Sequence, residues 1–564
     1  MTFDYEKEAR KLFSKVIRKK DIIIERPKDS IYGDYAFPCF LLAKEKKKSP
    51  VQIAKELISD VKAEVEKNKI FSEAKLVGPY INLFVHKGVF AENVLKEIMK
   101  KDYGKGSKKK DKIMVEYCQV NTHKAFHVGH LRGTLLGMAL IRLLRYNGYK
   151  VVSANYQGDI GTHVAKSLWY LTKHFKGKFP DKDKGTWLGE IYQKANKLLS
   201  KNEDYNKEVS EILQKLENND KELTKLWKET RKWSLDDFEI LYDKLNVKFD
   251  EYFFESQMEK EGKELVSALV KKKIAHESDG AIVIDLEKYN LSIFLLLKSD
   301  GTTLYSTKDL ALAKAKFEKY KVDRSLHVVG SEQKFYFEQV FKTLDLMGFK
   351  QAKKCFHLPY ELVNLEGGKI SSREGELILA MQLINDVIIF AKKEVKKRHS
   401  DWNDKEVEKT AESIALAGIK FRMLSQDNNK PIVFSVEKVL DFEGETGPYI
   451  QYAHARICSI LRNCKKDVKN ADLSLLTTTE DKKIISILSN FPTVLEDCSE
   501  NYKLFPLCRY LLDLSQAFNE YYHKHQILKE KDDVRDARLF LIQAVKKVIS
   551  EGLELLGIEA PERM

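Results

Sequence analysis

Residues 112–155 constrain the fold more than any other stretch. Lys112-Ile113-Met114-Val115-Glu116-Tyr117-Cys118 has the continuous apolar pattern of a buried strand, and a loop follows over 119–129. A helical pattern then runs from about His130 to Tyr146 and stops at Asn147-Gly148, after which Tyr149-Lys150-Val151-Val152-Ser153-Ala154-Asn155 reads as a second strand. Strand, helix and strand at this spacing form a unit of the doubly wound α/β kind. Ligands of such sheets lie beyond the carboxyl ends of the strands, which puts the loop 119–129 where chemistry is expected.

At 564 residues the chain is too long for one ordinary core, and about 150 residues per domain predicts three or four modules. With 43% of residues hydrophobic and 32% charged, a disordered or fibrous chain is excluded. There is no long apolar run to span a membrane, and charges are spread through residues 1–13 where a signal peptide would be apolar, so a soluble intracellular protein is expected. Lys and Arg number 98 against 84 Asp and Glu, a net +14. That favours a polyanionic partner through counterion release, at even odds with a general lysine bias. Seven scattered cysteines with no Cys-x-x-Cys pair predict reduced thiols and no zinc.

Residues 7–18 and 50–67 read as amphipathic helices, and 80–85 as a strand after Gly78-Pro79. The almost wholly polar stretch 101–112 predicts a linker, with a boundary near 105. Residues 183–248 are charged and helix-patterned, an insertion with Trp187, Trp227 and Trp233 as expected core anchors. Strand signals return at 281–285 and at 326–329, the second of which could complete the parallel sheet. Beyond Gly447-Pro448 only helical segments are evident, a separate bundle.

Two short constellations carry chemistry. His127-Val128-Gly129-His130 falls between the first strand and the helix, where unpaired helix N–H groups, a close approach at Gly129 and two imidazoles would suit a nucleoside triphosphate. Far downstream, Gly367-Gly368-Lys369-Ile370-Ser371-Ser372-Arg373-Glu374-Gly375 offers two cations and two hydroxyls between glycines, suited to the charge on a departing pyrophosphate. Each alone also reads as an ordinary pair of histidines or a solvated turn. The argument rests on their occurring together.

His-x-Gly-His followed by Lys-Ile-Ser-Ser-Arg resembles the signature pair of class I aminoacyl-tRNA synthetases. The stretches 121–132, 155–162 and 446–456, with Gly33-Asp34-Tyr35-Ala36 and Glu562-Arg563-Met564, resemble the arginyl-tRNA synthetases over nearly the whole chain. The resemblance implies a Rossmann-type catalytic core (106–385) with a helical insertion at about 175–250. It also implies a small α+β N-terminal domain (1–105) touching the tRNA elbow, a stem-contact segment (386–445) and an all-α anticodon-binding domain (446–564). The activity implied is ATP-dependent ligation of L-arginine to its tRNA through an arginyl-adenylate, in a cytoplasmic, monomeric enzyme using ATP with Mg2+ and no zinc. His127, His130 and Lys369 would be catalytic, with Val128, Gly129, Ser371, Ser372 and Arg373 around ATP. The second lysine of the class I loop is Arg373 here, and Lys124, just before the histidine motif, is the substitute the family suggests.

By the same resemblance the arginine pocket comprises Glu116, Asn121, Tyr305, Asp309 and Gln333. If the segment from Tyr305 is helical, Tyr305 and Asp309 share a face, and a carboxylate there can take the two-pronged hydrogen bonds of a guanidinium. From spacing alone Asp309 would pair with a lysine and Tyr305 would be core. Tyr449, Tyr452 and Arg456 would meet tRNA, with Tyr521, Tyr522 and Met564 as further candidates and Tyr80 and Asn82 facing the elbow. Cys118-Gln119-Val120 stands where relatives usually have Ser-Ser-Pro, predicting a different loop path. The alternatives are a catalytically impaired tRNA-binding paralogue and another class I synthetase.

Overall fold

The computed structural model describes residues 5–564 apart from 20, 28, 69, 367–377 and 465–467. Helices α1 (Tyr5–Ile17), α2 (Phe40–Lys46), α3 (Pro50–Glu66) and α4 (Lys87–Ile98) surround an antiparallel sheet of β1 (Tyr35–Pro38), β2 (Phe71–Val77) and β3 (Tyr80–Val85), ordered β1-β3-β2. Helix α3 shows why these elements form. The Ser49 hydroxyl caps it by accepting from the Gln52 N–H, Pro50 opens its first turn, and Ile53, Leu57, Val61 and Val65 make one buried stripe.

The next segment holds the expected unit, β4 (Lys112–Glu116), α5 (Val128–Tyr146) and β5 (Lys150–Gln157), followed by α6 (Thr162–Lys173). The charged insertion is three helices, α7 (Lys184–Leu199), α8 (Tyr205–Glu217) and α9 (Lys221–Leu245). Of its expected anchors only Trp233 is buried. Trp187 and Trp227 are half-buried, the indole N–H of the latter donating to the carbonyl of the buried Asp159 at 2.6 Å. The fully buried tryptophan is Trp169 on α6, its N–H donating to Glu208 at 2.9 Å.

The chain returns as β6 (Glu251–Phe254) and leaves through α10 (Glu255–Lys271) into a separate antiparallel sheet of β7 (His276–Ser278), β8 (Ala281–Asp285) and β9 (Ile293–Leu297). It comes back through α11 (Tyr305–Tyr320), β10 (Arg324–Gly330), α12 (Lys334–Leu346) and β11 (Cys355–Tyr360). The five-stranded parallel sheet is ordered β11-β10-β4-β5-β6. Strands step outward from β4 in both directions, so the order reverses between β4 and β10. A crevice opens at such a switch point, and Glu116 of β4 and His327 of β10 stand opposite each other at it.

A two-stranded pair of β12 (Val363–Leu365) and β13 (Ile432–Phe434) brackets α13 (Ala380–Arg398) and α14 (Asp404–Leu424). After α15 (Val436–Val439) come α16 (Gly447–Asn463), α17 (Thr479–Ser489), α18 (Phe491–Asn501), α19 (Phe505–Lys524) and α20 (Asp532–Leu555), with no strand among the described residues. No described helix is long and apolar enough to cross a membrane.

Candidate active site

The first turn of α5 is closed by its own histidines. The Nδ1 of His127 accepts the Gly129 N–H at 3.1 Å, and the Nδ1 of His130 accepts the His127 N–H at 3.2 Å, a reciprocal capping box. The Val128 N–H is taken by the Ile378 carbonyl at 3.0 Å and that of His130 by the His127 carbonyl at 2.9 Å. The expectation of free backbone N–H groups here is therefore corrected: the caps and the crossing segment at Ile378 have used them. What faces outward instead is chemistry set by the caps. A ring whose Nδ1 accepts a hydrogen bond carries its proton on Nε2, so each imidazole offers one Nε2–H donor.

The rings stack with centroids 3.7 Å apart. Burial, then the charge of Lys124, pushes His127 down to about 4, while burial, His127 and Lys124 push His130 well below the ordinary imidazole range. Both are neutral donors at pH 7. The ammonium of Lys124 stands 5.4 Å from the centre of the Tyr192 ring and helps line a cavity of about 90 Å³ beside Phe126 and Leu379. Val128 is buried and Gly129 half-buried on the same turn. Lys369, Ser371, Ser372 and Arg373 lie outside the described residues, but Ile378 and Leu379 pair with Val128 and His127, so the end of that loop is tied to the histidine motif.

The loop between β4 and α5 is strained, with Cys118 (φ 81), Gln119 (φ 36) and His123 (φ 64) all left-handed. No proline restricts this path. His123 is locked between the hydroxyls of Thr122 and Thr230 at 3.0 and 2.9 Å. Asn121 packs so closely on Gly158 that a β-carbon there would lie 2.1 Å from its Oδ1, so any larger residue at that position would displace the Asn121 side chain.

Glu116, expected among arginine ligands, is buried and occupied. Its Oε2 lies 2.5 Å from Lys316 Nζ, and its Oε1 meets His327 Nδ1 at 3.2 Å and the Gln119 amide at 3.1 Å. Burial raises this carboxyl, but Lys316 and then His327 outweigh that and hold it well below the usual range. Against the expectation that it binds arginine, Glu116 as placed is not an open acceptor. Nothing near Glu116 in sequence marks Lys316 or His327 as its partners.

Asp309 is the open carboxylate. It lies one turn into α11, whose first residue is Tyr305, so the two do share a face. The Tyr336 hydroxyl donates to its Oδ2 at 2.5 Å, while Oδ1 is buried with no hydrogen-bond partner among the described residues. The neighbouring Lys308 is spent on Glu255 at 2.9 Å. Burial pushes the Asp309 carboxyl up to about 7, against the pull of Tyr336 and with the charges of Glu116 and Glu255 adding to the rise. Tyr305 is 54% exposed, its ring 4.7 Å from that of Tyr336, and is not the core residue that spacing alone favoured. Gln333 ends the short turn Ser331–Gln333 beyond β10, half-buried at the same crevice. A buried carboxylate with one spare oxygen, walled by tyrosines, fits a guanidinium.

On the helical bundle, Arg456 stands 4.7 Å from the centre of the Tyr452 ring and 5.3 Å from that of Tyr522. Asn519 accepts from Arg456 at 2.8 Å and donates to the Tyr449 hydroxyl at 2.9 Å, so these side chains form one half-buried cluster. Tyr521 is corrected to core, fully buried and donating to Asp481 at 2.8 Å. Met564 packs half-buried at the core's edge. On the N-terminal sheet Tyr80 is half-buried against the exposed Phe40 ring. Asn82 is buried, its amide donating to the Tyr32 carbonyl at 2.7 Å, and as placed it supports that loop instead of facing outward.

A parallel sheet with this switch point, two neutral histidines on the following helix and a carboxylate pocket across the crevice define a class I aminoacyl-tRNA synthetase. The family model described as tRNA synthetases class I (R), catalytic domain, matches residues 92–436; those for the arginyl tRNA synthetase N terminal domain and the DALR anticodon binding domain match 5–85 and 450–564. The arginine–tRNA ligase of Bdellovibrio bacteriovorus is 40% identical over 96% of this chain and 94% of its own. That of Halothermothrix orenii is 38% identical over 96% and 95%. The solved arginyl-tRNA synthetase of Thermus thermophilus superposes with a TM-score of 0.80 at 27% identity, covering 99% of this chain and all of its own. The chain belongs to the arginyl-tRNA synthetases.

Proposed function

We propose that this chain ligates L-arginine to its tRNA in two steps, and that its own residues act by position and electrostatics. The arginine carboxylate is already a nucleophile at neutral pH, so acid-base catalysis is not required. Asp309 takes the substrate guanidinium on its spare oxygen, with Tyr305 and Gln333 walling the pocket and Asn121 holding the amino end. The Nε2–H groups of His127 and His130 donate to ATP phosphates where negative charge develops. Lys369, Ser371, Ser372 and Arg373 close on the departing pyrophosphate, with Lys124 as the second cation on the opposite side. The arginyl group then passes from the adenylate to the terminal ribose of tRNA, first to the 2′ hydroxyl.

Among the described residues no cluster of three His, Cys, Asp or Glu is placed to hold a metal. We assign magnesium to ATP, and no residue role runs through it. We assign residues 1–105 to the tRNA elbow, 106–385 to catalysis, 386–445 to the acceptor stem and 446–564 to the anticodon, with Tyr449, Tyr452 and Arg456 as the bundle's contact cluster. A cytoplasmic monomer completes the reading. The observation that carries it is the spare buried oxygen of Asp309 across the switch point from the histidine turn. Exchange of labelled pyrophosphate into ATP, run with each amino acid with and without total tRNA, tests it. Exchange with arginine alone supports the reading; no exchange while tRNA binding is intact overturns it in favour of a tRNA-binding paralogue.

A further inference from the structure

Arg132 lies two residues past the histidine motif and is 1% exposed. A cation this deeply buried is ordinarily paired with a carboxylate, because desolvation of an unpaired charge is costly. Among the described residues Arg132 makes no ion pair. Its guanidinium is spent on three backbone carbonyls: Nη1 donates to Glu361 at 2.6 Å and to Lys430 at 2.9 Å, and Nη2 donates to Asp427 at 3.0 Å. Burial lowers it only to about 10, so it stays charged at pH 7.

The three carbonyls belong to two segments far apart in sequence. Glu361 lies on the link between β11 and β12, which leads toward residues 367–377, and Asp427 and Lys430 form the turn between α14 and β13. These segments are also bonded to each other, the Glu361 N–H donating to the Asn428 carbonyl at 2.9 Å. The planar fork of arginine reaches all three acceptors at once, which lysine's single ammonium cannot do with the same geometry. On its other side the turn is gripped by the bundle, since Lys503 between α18 and α19 binds the Asp427 carboxylate at 3.1 Å. Contact therefore runs without a break from the helical bundle through Lys503, Asp427 and Arg132 to the first turn of α5, where the imidazole donors stand.

We infer that Arg132 is a positioning residue which transmits the bundle's hold on the 427–430 turn to the histidine turn of α5. It touches no substrate and acts only by fixing where His127 and His130 present their Nε2–H groups. The inference rests on the catalytic reading of those histidines. It goes beyond that reading by giving the tRNA-binding bundle a route to the ATP site.

The test is a double-mutant cycle of Arg132→Lys and Lys503→Ala in arginine-dependent pyrophosphate exchange with saturating tRNA. Wild-type exchange is measured first, so that failure of the catalytic reading is seen separately. Arg132→Lys is expected to lower kcat at least tenfold, leaving the KM for arginine and the tRNA dissociation constant within twofold in enzyme that is shown to be folded at the assay temperature. Lys503→Ala, loss of a partly exposed ion pair, is expected to lower kcat about threefold. The double variant should be no slower than Arg132→Lys alone, because the route is already cut. Wild-type kcat in a folded Arg132→Lys enzyme, or effects that multiply, would overturn the inference. Should Arg132→Lys not fold, Lys503→Ala decides by itself: reduced kcat with unchanged tRNA affinity supports the route, and unchanged kcat overturns it.

Discussion

At the scale of single residues, the chemistry turns on which groups are charged at pH 7. Asp309 is raised to about 7 in the free protein by burial, far above a carboxyl in an unfolded chain. The sign follows directly. A raised carboxyl favours its protonated form on folding, so free-protein stability falls as pH rises from the unfolded value toward 7. Guanidinium needs the ionised form, so arginine binding releases a proton and strengthens over the same range. Calorimetric titration should show arginine affinity about tenfold weaker at pH 6 than at pH 8, with proton uptake by the buffer, and Asp309→Asn should abolish both the affinity and its pH dependence. His127, held at about 4, does not titrate in that window. A flat affinity between pH 6 and 8 would remove Asp309 from the pocket. On the phosphate side the expected loss is electrostatic. His130→Ala or Lys369→Ala should each lower pyrophosphate exchange about 10²–10³-fold, the usual cost of one aimed donor, and wild-type exchange in both would refute their roles.

Helix α5 governs the next scale. It lies against the sheet because its inner face carries glycine where neighbours press closest: a β-carbon on Gly137 would meet the Tyr117 ring at 2.3 Å. Two effects oppose in Gly137→Ala. Helix propensity favours alanine by about 1 kcal/mol, whereas overpacking a fully buried ring costs about 1–3 kcal/mol. Tyr117 is 1% exposed and cannot swing away, so the clash wins. A net loss of up to about 2 kcal/mol in chemical denaturation is expected, with exchange lost in proportion as the histidine turn shifts; a stabilised variant would show that α5 has slack. This helix and its flanking strands were legible in sequence because apolar periodicity and a glycine stop are local signals. The insertion helices were legible for the same reason, and Asp309 came into view through a family likeness spread over the chain. What stayed hidden was pairing at a distance. The His327 partner of Glu116 is 211 residues away, joined only by strand register. The consumption of N–H groups in the first turn of α5 was equally hidden, because it depends on the segment crossing at Ile378 and on ring rotamers that a four-residue motif does not specify.

At the scale of the whole molecule, the modules are joined by buried polar contacts as well as apolar packing. The Tyr103 hydroxyl, between α4 and β4, donates to Leu488 in α17 at 2.7 Å, and Asn147 at the end of α5 donates to Leu495 in α18 at 2.9 Å. The last residues of the chain act as a further clasp. Lys420 of α14, 4% exposed, donates to the Gly557 carbonyl at 2.6 Å; Gln451 of α16 donates to Glu559 at 2.8 Å; and His454 meets the Pro561 carbonyl at 2.9 Å. Burial lowers Lys420 to about 8, so its ammonium depends on that carbonyl more than a surface lysine would. Removing residues 557–564 would leave Lys420 and His454 without these carbonyls and Gln451 with only the longer bonds to Ser413, at about 1–3 kcal/mol for each acceptor lost. Water entering the gap relieves part of this, so a total near 3 kcal/mol is the reasonable figure, equivalent for a 564-residue chain to a fall of about 2–3 °C in the melting temperature. The loss should also grow as pH drops below about 8, because Lys420 is then charged and an uncompensated ammonium costs more than a neutral amine. Scanning calorimetry of the shortened chain at pH 7 and pH 9 checks both points. A shift under about 1 °C, or one independent of pH, would mean that apolar packing alone joins α14 to the bundle and that the tail contributes no clasp.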